Sequence, residues 1–428
     1  MAEAFNNYFI NIGPSLAHEM AHSSLSFESF VKPSHSELSE FRTVANANVQ
    51  KEGLSLAKAT GIDNISGKIL KVAALAISSS LTYIINHAII SCCFPDDWKV
   101  ARVLPLHKKG PRNLPNNYRP ISIFPAISKI TERILYDQLH NYLSANDILC
   151  ERQFGVRRLH STASALLGST NSWYLNVDRK MFNLVLFLDL KKAFLTVNHE
   201  ILLREMEIYG VTGNALNLMK SYLRDRKQIC QINGVSSTEN RIGCEIPQGS
   251  ILGPLFFLLY INGLPECLRQ TTPRLFADDT NRTASGKPEE EVEKAMNGDP
   301  EYVKKWLLAN KLSLNVAKTE FLLIGSHYSI LTITAHPSIG IGHNFLNQVT
   351  YSKVLVVEID QFLSCDKHVD SIAKKLTSSI GTIWRIREFV DRETLVAVHN
   401  AIVQPHFNYC SEVWDSLGEG LSKRLQTL

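Results

Sequence analysis

The sequence predicts a mixed α+β chain of two or three lobes, and three observations carry that expectation. Its 428 residues exceed what a single hydrophobic core ordinarily organises. Its first part carries long helical patterns, whereas the middle third alternates short apolar runs with helical stretches. The composition, 45% hydrophobic and 20% charged, is that of a chain able to bury real cores.

Residues 30–50 are polar and weakly patterned and read as a linker between an N-terminal flap and the main body. Over 61–90 the pattern is helical, with Ile65, Ile69, Val72, Ala73 and Ala76 recurring on one face. A β-rich, basic stretch follows at 98–110. A second amphipathic helix over 128–143 then carries Ile130, Ile134, Leu135, Leu139 and Tyr142 on one stripe. Residues 184–188 form an unbroken apolar run, which fits a buried central strand, and the run ends in Asp189. Asn198 can N-cap the next helix, which carries Ile201, Leu202, Glu205 and Met206. Residues 227–234 and 240–246 read as two strands joined by a polar turn. An apolar helix over 251–261 comes after Pro247-Gln-Gly249, and 274–280 is a short strand entering a tight acidic turn. Residues 321–325 and 353–359 read as strands, and the chain beyond Lys367 as helical and basic (Lys374, Lys375, Arg385, Arg387), with a boundary near 327.

Composition excludes little. A net charge of +4 permits a polyanionic partner without arguing for one, because the local potential is what matters. None of the 8 cysteines has zinc-ligand spacing, and so few in so long a chain do not make a disulfide framework. The start lacks a basic region followed by an apolar core, and the apolar run at 253–261 is too short for a bilayer. The expectation is an intracellular protein in a reducing compartment, without a membrane partner.

Three aspartates carry the chemistry. Asp189, Asp278 and Asp279 stand at the ends of apolar strands, where a carboxylate is costly to desolvate unless something pairs with it. The adjacent pair repels itself, and a divalent cation would resolve the conflict. Magnesium suits oxygen ligands and retains substrate phosphates. If the Asp189 strand pairs with the strand entering Asp278, about 4.8 Å away, the carboxylates can converge on one site. Two ions held there can activate a 3′-hydroxyl and stabilise a pyrophosphate leaving group. An acidic pair in a turn is also common without any metal.

Phe187-Leu-Asp-Leu-Lys-Lys-Ala-Phe194, Pro247-Gln-Gly-Ser-Ile-Leu-Gly-Pro254 and Phe276-Ala-Asp-Asp279 occur in that order. They resemble palm motifs A, B and C of reverse transcriptases of non-LTR retrotransposons, the jockey-like group especially. Residues 98–110 with Asn117-Tyr-Arg-Pro-Ile-Ser122 resemble the fingers of that family, and Gln153-Phe-Gly155 with His160-Ser-Thr162 the segment before motif A. Asn310-Lys-Leu-Ser-Leu-Asn315 with Lys318-Thr-Glu320 resembles motif D, and Asn408-Tyr-Cys410 and Trp414 the region after the palm.

The resemblance implies an α+β right-hand polymerase. Its parts would be an N-terminal extension (1–50), fingers (51–183), a ferredoxin-like antiparallel-sheet palm (184–326) and a helical thumb (327–428). It implies an RNA-directed DNA polymerase that copies RNA into cDNA with two Mg²⁺ ions, for which Mn²⁺ can stand in. The partners would be an RNA template, a DNA primer and deoxynucleoside triphosphates, in nucleus and cytoplasm. Asp189, Asp278 and Asp279 match the metal-binding carboxylates. Lys318 matches a lysine that supplies a proton to the leaving pyrophosphate. Phe194 matches the aromatic under the incoming sugar that selects deoxynucleotides, although core packing accounts for such a ring too. Gln248 and Gly249 match the turn against template and incoming base. Lys108 (or Lys109 beside it) and Arg119 match cations that reach the triphosphate, and a solvated basic face explains them equally. The basic helices near the C-terminus suit a thumb that follows phosphates.

The sequence also departs from the family. Leu195 stands where a second aspartate is usual, Asn198 where Val-Asp-His is usual, Gly263 where the motif B helix ends Ile-Asn-Asp, and Val354-Leu-Val356 where Tyr-Leu-Gly is usual. Gly298-Asp-Pro300 interrupts a normally continuous helix, where an internal proline costs about 3 kcal/mol. These departures make a catalytically decayed, RNA-binding remnant the alternative expectation. No endonuclease precedes the polymerase motifs and no Cys/His knuckle follows them, so a fragment of a longer frame is expected.

Overall fold

A computed structural model describes residues 1–18, 25–51, 59–333, 336–342, 344–415 and 417–427. Part of the expected N-terminal flap, 19–24, lies outside the described residues. The chain divides into two compact units, Met1–Glu151 with Leu190–Cys267 and Lys305–Ser313, and Arg152–Asp189 with Leu268–Lys304 and Leu314–Leu428.

The first unit is built on a small mixed sheet. Strand β1 (Val100–His107) pairs antiparallel with β2 (Tyr118–Ile123) and parallel with β4 (Lys227–Ile232). The short strands β5 (Val235–Ser236) and β6 (Asn240–Arg241) both lie against β4. The expected strand over 240–246 therefore shrinks to two residues. The helix Ala2–His18 buries Phe5 and Phe9 against Ala101, Val103, Phe124 and Cys230 of this sheet. The amphipathic helix is observed at Ala126–Ala145, with Ile130, Ile134, Leu135 and Leu139 all buried. Asn198 caps His199–Ile208, its side chain accepting from the N–H groups of Glu200 and Ile201. The apolar helix, Leu252–Ile261, has all but one of its residues buried, as a helix apolar on every side must.

Two expectations fail in this unit. The stretch taken for a linker is laid along the core: Ser34 and Leu38 donate to the carbonyls of Ile208 and Gly210, and Thr212 donates back to Leu38. The helix at Gly67–Ile90 exists, but its predicted face points outward, with Ile69 60% and Val72 89% exposed. Leu70, Leu81, Ile85, Ala88 and Ile89 are buried instead. By length and composition this helix could also cross a bilayer, and 22% of its most apolar window is buried. The reading that weighed only 253–261 passed over it.

Burial without a matching cation leaves a pH signature here. Loss of water around Glu245 pushes its carboxyl up to about 8, against a smaller downward pull from Arg226. The folded protein thus holds a proton that the unfolded chain releases near 4.5. The stabilising contribution is complete below about 4.5 and is lost as pH rises through about 8. Thermal melts of Glu245→Gln from pH 5 to 9 should decline less with pH than wild type, with the variant melting higher at the alkaline end.

The second unit contains a five-stranded sheet, and the predicted central strand, β3 (Phe182–Leu188), is its middle. The strands β7 (Thr272–Phe276) and β8 (Asp279–Gly286) lie to one side, and β9 (Glu320–Ile324) lies to the other. A small hairpin of β10 (Gly340–Ile341) and β11 (Asn344–Phe345) precedes β12 (Asn347–Val349), which joins the edge of β9 in parallel. The remaining pairings in the sheet are antiparallel. Side chains alternate between two cores: Val185 faces one with Leu166 and Trp173, while Leu184, Leu186 and Leu188 face another with Val292 and Met296.

The single strand expected at 353–359 is instead a hairpin, β13 (Tyr351–Val354) and β14 (Val357–Asp360). Its two turn residues, Leu355 and Val356, both sit at positive φ, 44° and 74°. The helix beyond Lys367 is observed at Asp366–Ile386. The break at Gly298-Asp-Pro300 is a built junction, because Pro300 opens the next helix, where its missing N–H costs nothing.

Candidate active site

The acidic residues of the second unit are brought together by strand register. Leu188 of β3 pairs with Thr280 of β8, and the next step along both strands sets Asp189 beside Asp279, with Cβ atoms roughly 5 Å apart. The partner of the Asp189 strand is thus the one leaving the acidic turn. The entering strand, β7, lies beyond it, so the pairing expected from sequence is corrected. The antiparallel hairpin explains this, since β8 must lie between β7 and whatever accepts its free edge.

Asp189 is firmly held. Its backbone carbonyl accepts from the Asn315 N–H at 2.8 Å, and its Oδ2 accepts from Asn315 Nδ2 at 2.6 Å. Lys318 Nζ stands 3.8 Å from the same oxygen, placed there by a short turn over Val316–Lys318. Asp189, Asp279, Lys318, Arg274, Glu320 and Lys353 line one cavity of about 150 Å³. Asp278 sits exposed at the tip of the turn and is not part of that lining. Among the described residues, no three His, Cys, Asp or Glu side chains are close enough to form a ready-made metal cluster.

The turn itself is unusual. Phe276 pairs with Asp279, so only Ala277 and Asp278 connect the strands, and Ala277 sits at φ +53°. Two-residue hairpins favour glycine at the first position, and a side chain in this region costs about 1–2 kcal/mol.

The other sequence-predicted residues lie in the first unit. Lys108 and Arg119 are both exposed on the β1–β2 hairpin; Arg119 pairs with Leu106, two residues before Lys108 and on the same face. Phe194 lies in a short turn, half-buried, its ring stacked on Phe257 with centroids 4.3 Å apart. Packing therefore occupies one face of that ring. The Gln248 carbonyl accepts from the Ser122 N–H at 2.7 Å. Gly249 has φ +130°, and a Cβ there would run into the Ser122 carbonyl oxygen, so only glycine fits.

One supporting residue was not foreseen. Glu132, fully buried in the helix Ala126–Ala145, accepts from the N–H groups of Ile251 (2.5 Å) and Leu252 (3.4 Å) and thus caps the helix that follows Pro-Gln-Gly. Burial pushes its carboxyl up, while Arg226 pulls it down from a slot between the rings of Phe124 and Tyr222. The only sequence signal was an acidic residue amid an apolar stripe, which reads as a solvent-facing charge. Arg274 and Asn315 were missed as site residues for a similar reason, since neither spacing nor residue type marks them.

Comparison with known proteins identifies the family. A family model described as reverse transcriptase (RNA-dependent DNA polymerase) matches residues 106–359. The chain is 27% identical over 379 residues to a probable RNA-directed DNA polymerase from transposon X-element of Drosophila melanogaster, covering 87% of this chain and 41% of that protein. It is 27% identical to the corresponding protein of transposon BS from the same organism, with 88% and 42% covered. It is 24% identical to the RNA-directed DNA polymerase from mobile element jockey, with 84% and 40% covered. The chain therefore spans about two fifths of the length of these relatives. With more than half its residues matched by the family model and this set of relatives, the chain belongs to the reverse transcriptase family, among those of non-LTR, jockey-like retrotransposons.

Proposed function

We propose that this chain is an RNA-directed DNA polymerase working by two-metal nucleotidyl transfer, with an RNA template, a DNA primer and deoxynucleoside triphosphates as its partners. The observation that carries the reading is the cavity on which Asp189 and Asp279 open side by side with Lys318. In a right-hand arrangement the five-stranded sheet would serve as palm, the β1–β2 hairpin as fingers, and the helices from Asp366 onward as thumb. Lys374, Lys375, Arg385 and Arg387 are all exposed there and available to phosphates. A reducing compartment, the nucleus or cytoplasm, suits a chain whose eight cysteines form no disulfide among the described residues.

The donor set fits magnesium: carboxylate oxygens on one cavity, with lysine cations beside them. Asp189 and Asp279 would hold the ions, with Asp278, exposed at the tip of the turn, as the third carboxylate of the set. When bound, such ions supply Lewis-acid stabilisation of the attacking and leaving oxygens. The chain's own residues do the rest. Asn315 fixes one oxygen of Asp189 and so orients its carboxylate. Lys318, within ion-pair reach of Asp189, would protonate the leaving pyrophosphate. In the first unit, Lys108 and Arg119 would neutralise triphosphate charge, Gln248 and Gly249 would bear on the template and incoming base, and Phe194 would exclude a 2′-hydroxyl.

Lys318→Ala should lower kcat roughly 10²-fold with little change in KM, as expected for loss of a general acid. Single-turnover extension by wild type and Lys318→Ala at limiting and saturating deoxynucleotide checks this split between kcat and KM.

A catalytically silent RNA-binding remnant is the second reading, motivated by Leu195 and by the absence of a ready-made three-carboxylate cluster among the described residues. Yet the departures are absorbed by the fold. Leu195 is buried, Asn198 caps its helix, and the missing Cβ of Gly263 leaves room for the Phe30 carbonyl. Extension of oligo(dT) on poly(rA) with Mg²⁺ separates the two: the polymerase elongates the primer, whereas the remnant binds the hybrid and leaves its length unchanged.

A further inference from the structure

Gln153-Phe-Gly155 takes no part in the chemistry above, yet it is wrapped around the acidic turn. The Gln153 side chain is 3% exposed. Its Oε1 accepts from the Ala277 N–H at 3.0 Å and from the Gly155 N–H at 2.8 Å. The backbone on either side continues the clasp, with Phe154 donating to the Leu275 carbonyl at 2.8 Å and Leu275 donating to Arg152 at 2.9 Å. Gly155 comes so close that a Cβ on it would strike the Ala277 nitrogen.

We propose that Gln153 is a positioning residue whose carboxamide oxygen holds Ala277 in its left-handed conformation, thereby fixing where Asp278 and Asp279 point. Three observations combine in this. Ala277 occupies a conformation that alanine disfavours and that a two-residue hairpin would ordinarily assign to glycine. Its N–H is satisfied by one side chain, so removing that acceptor frees the peptide to turn. The acceptor is a neutral amide, which adds no third negative charge beside two carboxylates that already repel each other. Gln153 Nε2 has no hydrogen-bond partner among the described residues, so acceptance through Oε1 is the polar contact this side chain makes.

The inference rests on the reading of Asp189 and Asp279 as metal-binding carboxylates, and its test separates the two. Mn²⁺ affinity is measured by electron paramagnetic resonance on the full chain, well below its melting temperature, for wild type, Asp189→Asn, Gln153→Met, Ala277→Gly and the Gln153→Met/Ala277→Gly pair. Gln153→Met keeps the bulk and removes the acceptor. It should weaken Mn²⁺ binding about tenfold, as loss of outer-shell support does, and lower extension kcat while hybrid affinity holds. Ala277→Gly alone should change little, but in the Gln153→Met background it should recover several-fold of the lost affinity, because glycine adopts the left-handed turn without help. A residue that only fills space would lower the melting temperature and show no such recovery. Loss of Mn²⁺ binding in Asp189→Asn but not in Gln153→Met, or a Gln153→Met defect that Ala277→Gly leaves untouched, overturns this proposal alone. Binding unaffected by Asp189→Asn overturns the metal reading and this proposal with it.

Discussion

Exchanging Asp189 for asparagine should reduce RNA-templated extension roughly 10³-fold or more, the equivalent of several kcal/mol of transition-state charge stabilisation. Asparagine keeps the size of the side chain, and one of its polar atoms can still face Asn315, so the strand end and its neighbours should remain in place. What disappears is the negative charge that shares a cavity with Asp279 and stands 3.8 Å from Lys318. Affinity for an RNA–DNA hybrid should hold or rise slightly, because a carboxylate that repels phosphate has been removed. Single-turnover extension beside a filter-binding measurement checks both halves. A variant that loses binding as well as rate would place Asp189 in the scaffold rather than in the chemistry.

The largest effect on stability is expected at Asp299. Its carboxylate is 1% exposed and accepts from the backbone N–H groups of Arg269, Gln270 and Thr271, and from the Thr271 hydroxyl at 2.7 Å. Its own carbonyl accepts from Tyr302 and Val303 at the start of the following helix. One residue thus ties the chain entering β7 to the junction between two helices. Asp299→Ala leaves several buried donors without partners, each costing about 1–3 kcal/mol. A loss of roughly 3–5 kcal/mol is therefore expected in urea unfolding, against about half as much for Asp299→Asn, which keeps one acceptor oxygen.

Much of the fold was legible where the signals are local and mutually consistent. The unbroken apolar run before Asp189 fitted a buried central strand, and the sheet has it in the centre. Asn198 read as a helix cap and is one. The hairpin at 351–360 was not legible, since Leu355 and Val356 turn the chain at positive φ without glycine or asparagine. Nothing in Val354-Leu-Val-Val357 distinguishes that turn from a continuous strand. The helix Gly67–Ile90 was found but turned the wrong way, because it is apolar on several sides and periodicity alone cannot select the buried face.

The site divides in the same manner. Asp189, Asp279 and Lys318 were identifiable from motif order, and they share a cavity. Asn315, Glu132 and Gln153 act on those motifs through contacts 119 to 126 residues away in sequence, which no local pattern encodes. The departures from family pattern looked damaging as isolated letters. In the fold, Leu195 is a buried side chain and Pro300 opens a helix, so neither breaks an element.

The most direct test of a working metal-dependent polymerase is pyrophosphate release measured alongside primer length on a defined RNA template. The purified chain is supplied with Mg²⁺ and one deoxynucleotide at a time, with Asp279→Asn as the paired control. The geometry around Asp189, Asp279 and Lys318 predicts one pyrophosphate per template-matched nucleotide added, none without the matching deoxynucleotide, and none from the variant. Folded wild-type protein that binds the hybrid yet releases no pyrophosphate would contradict it.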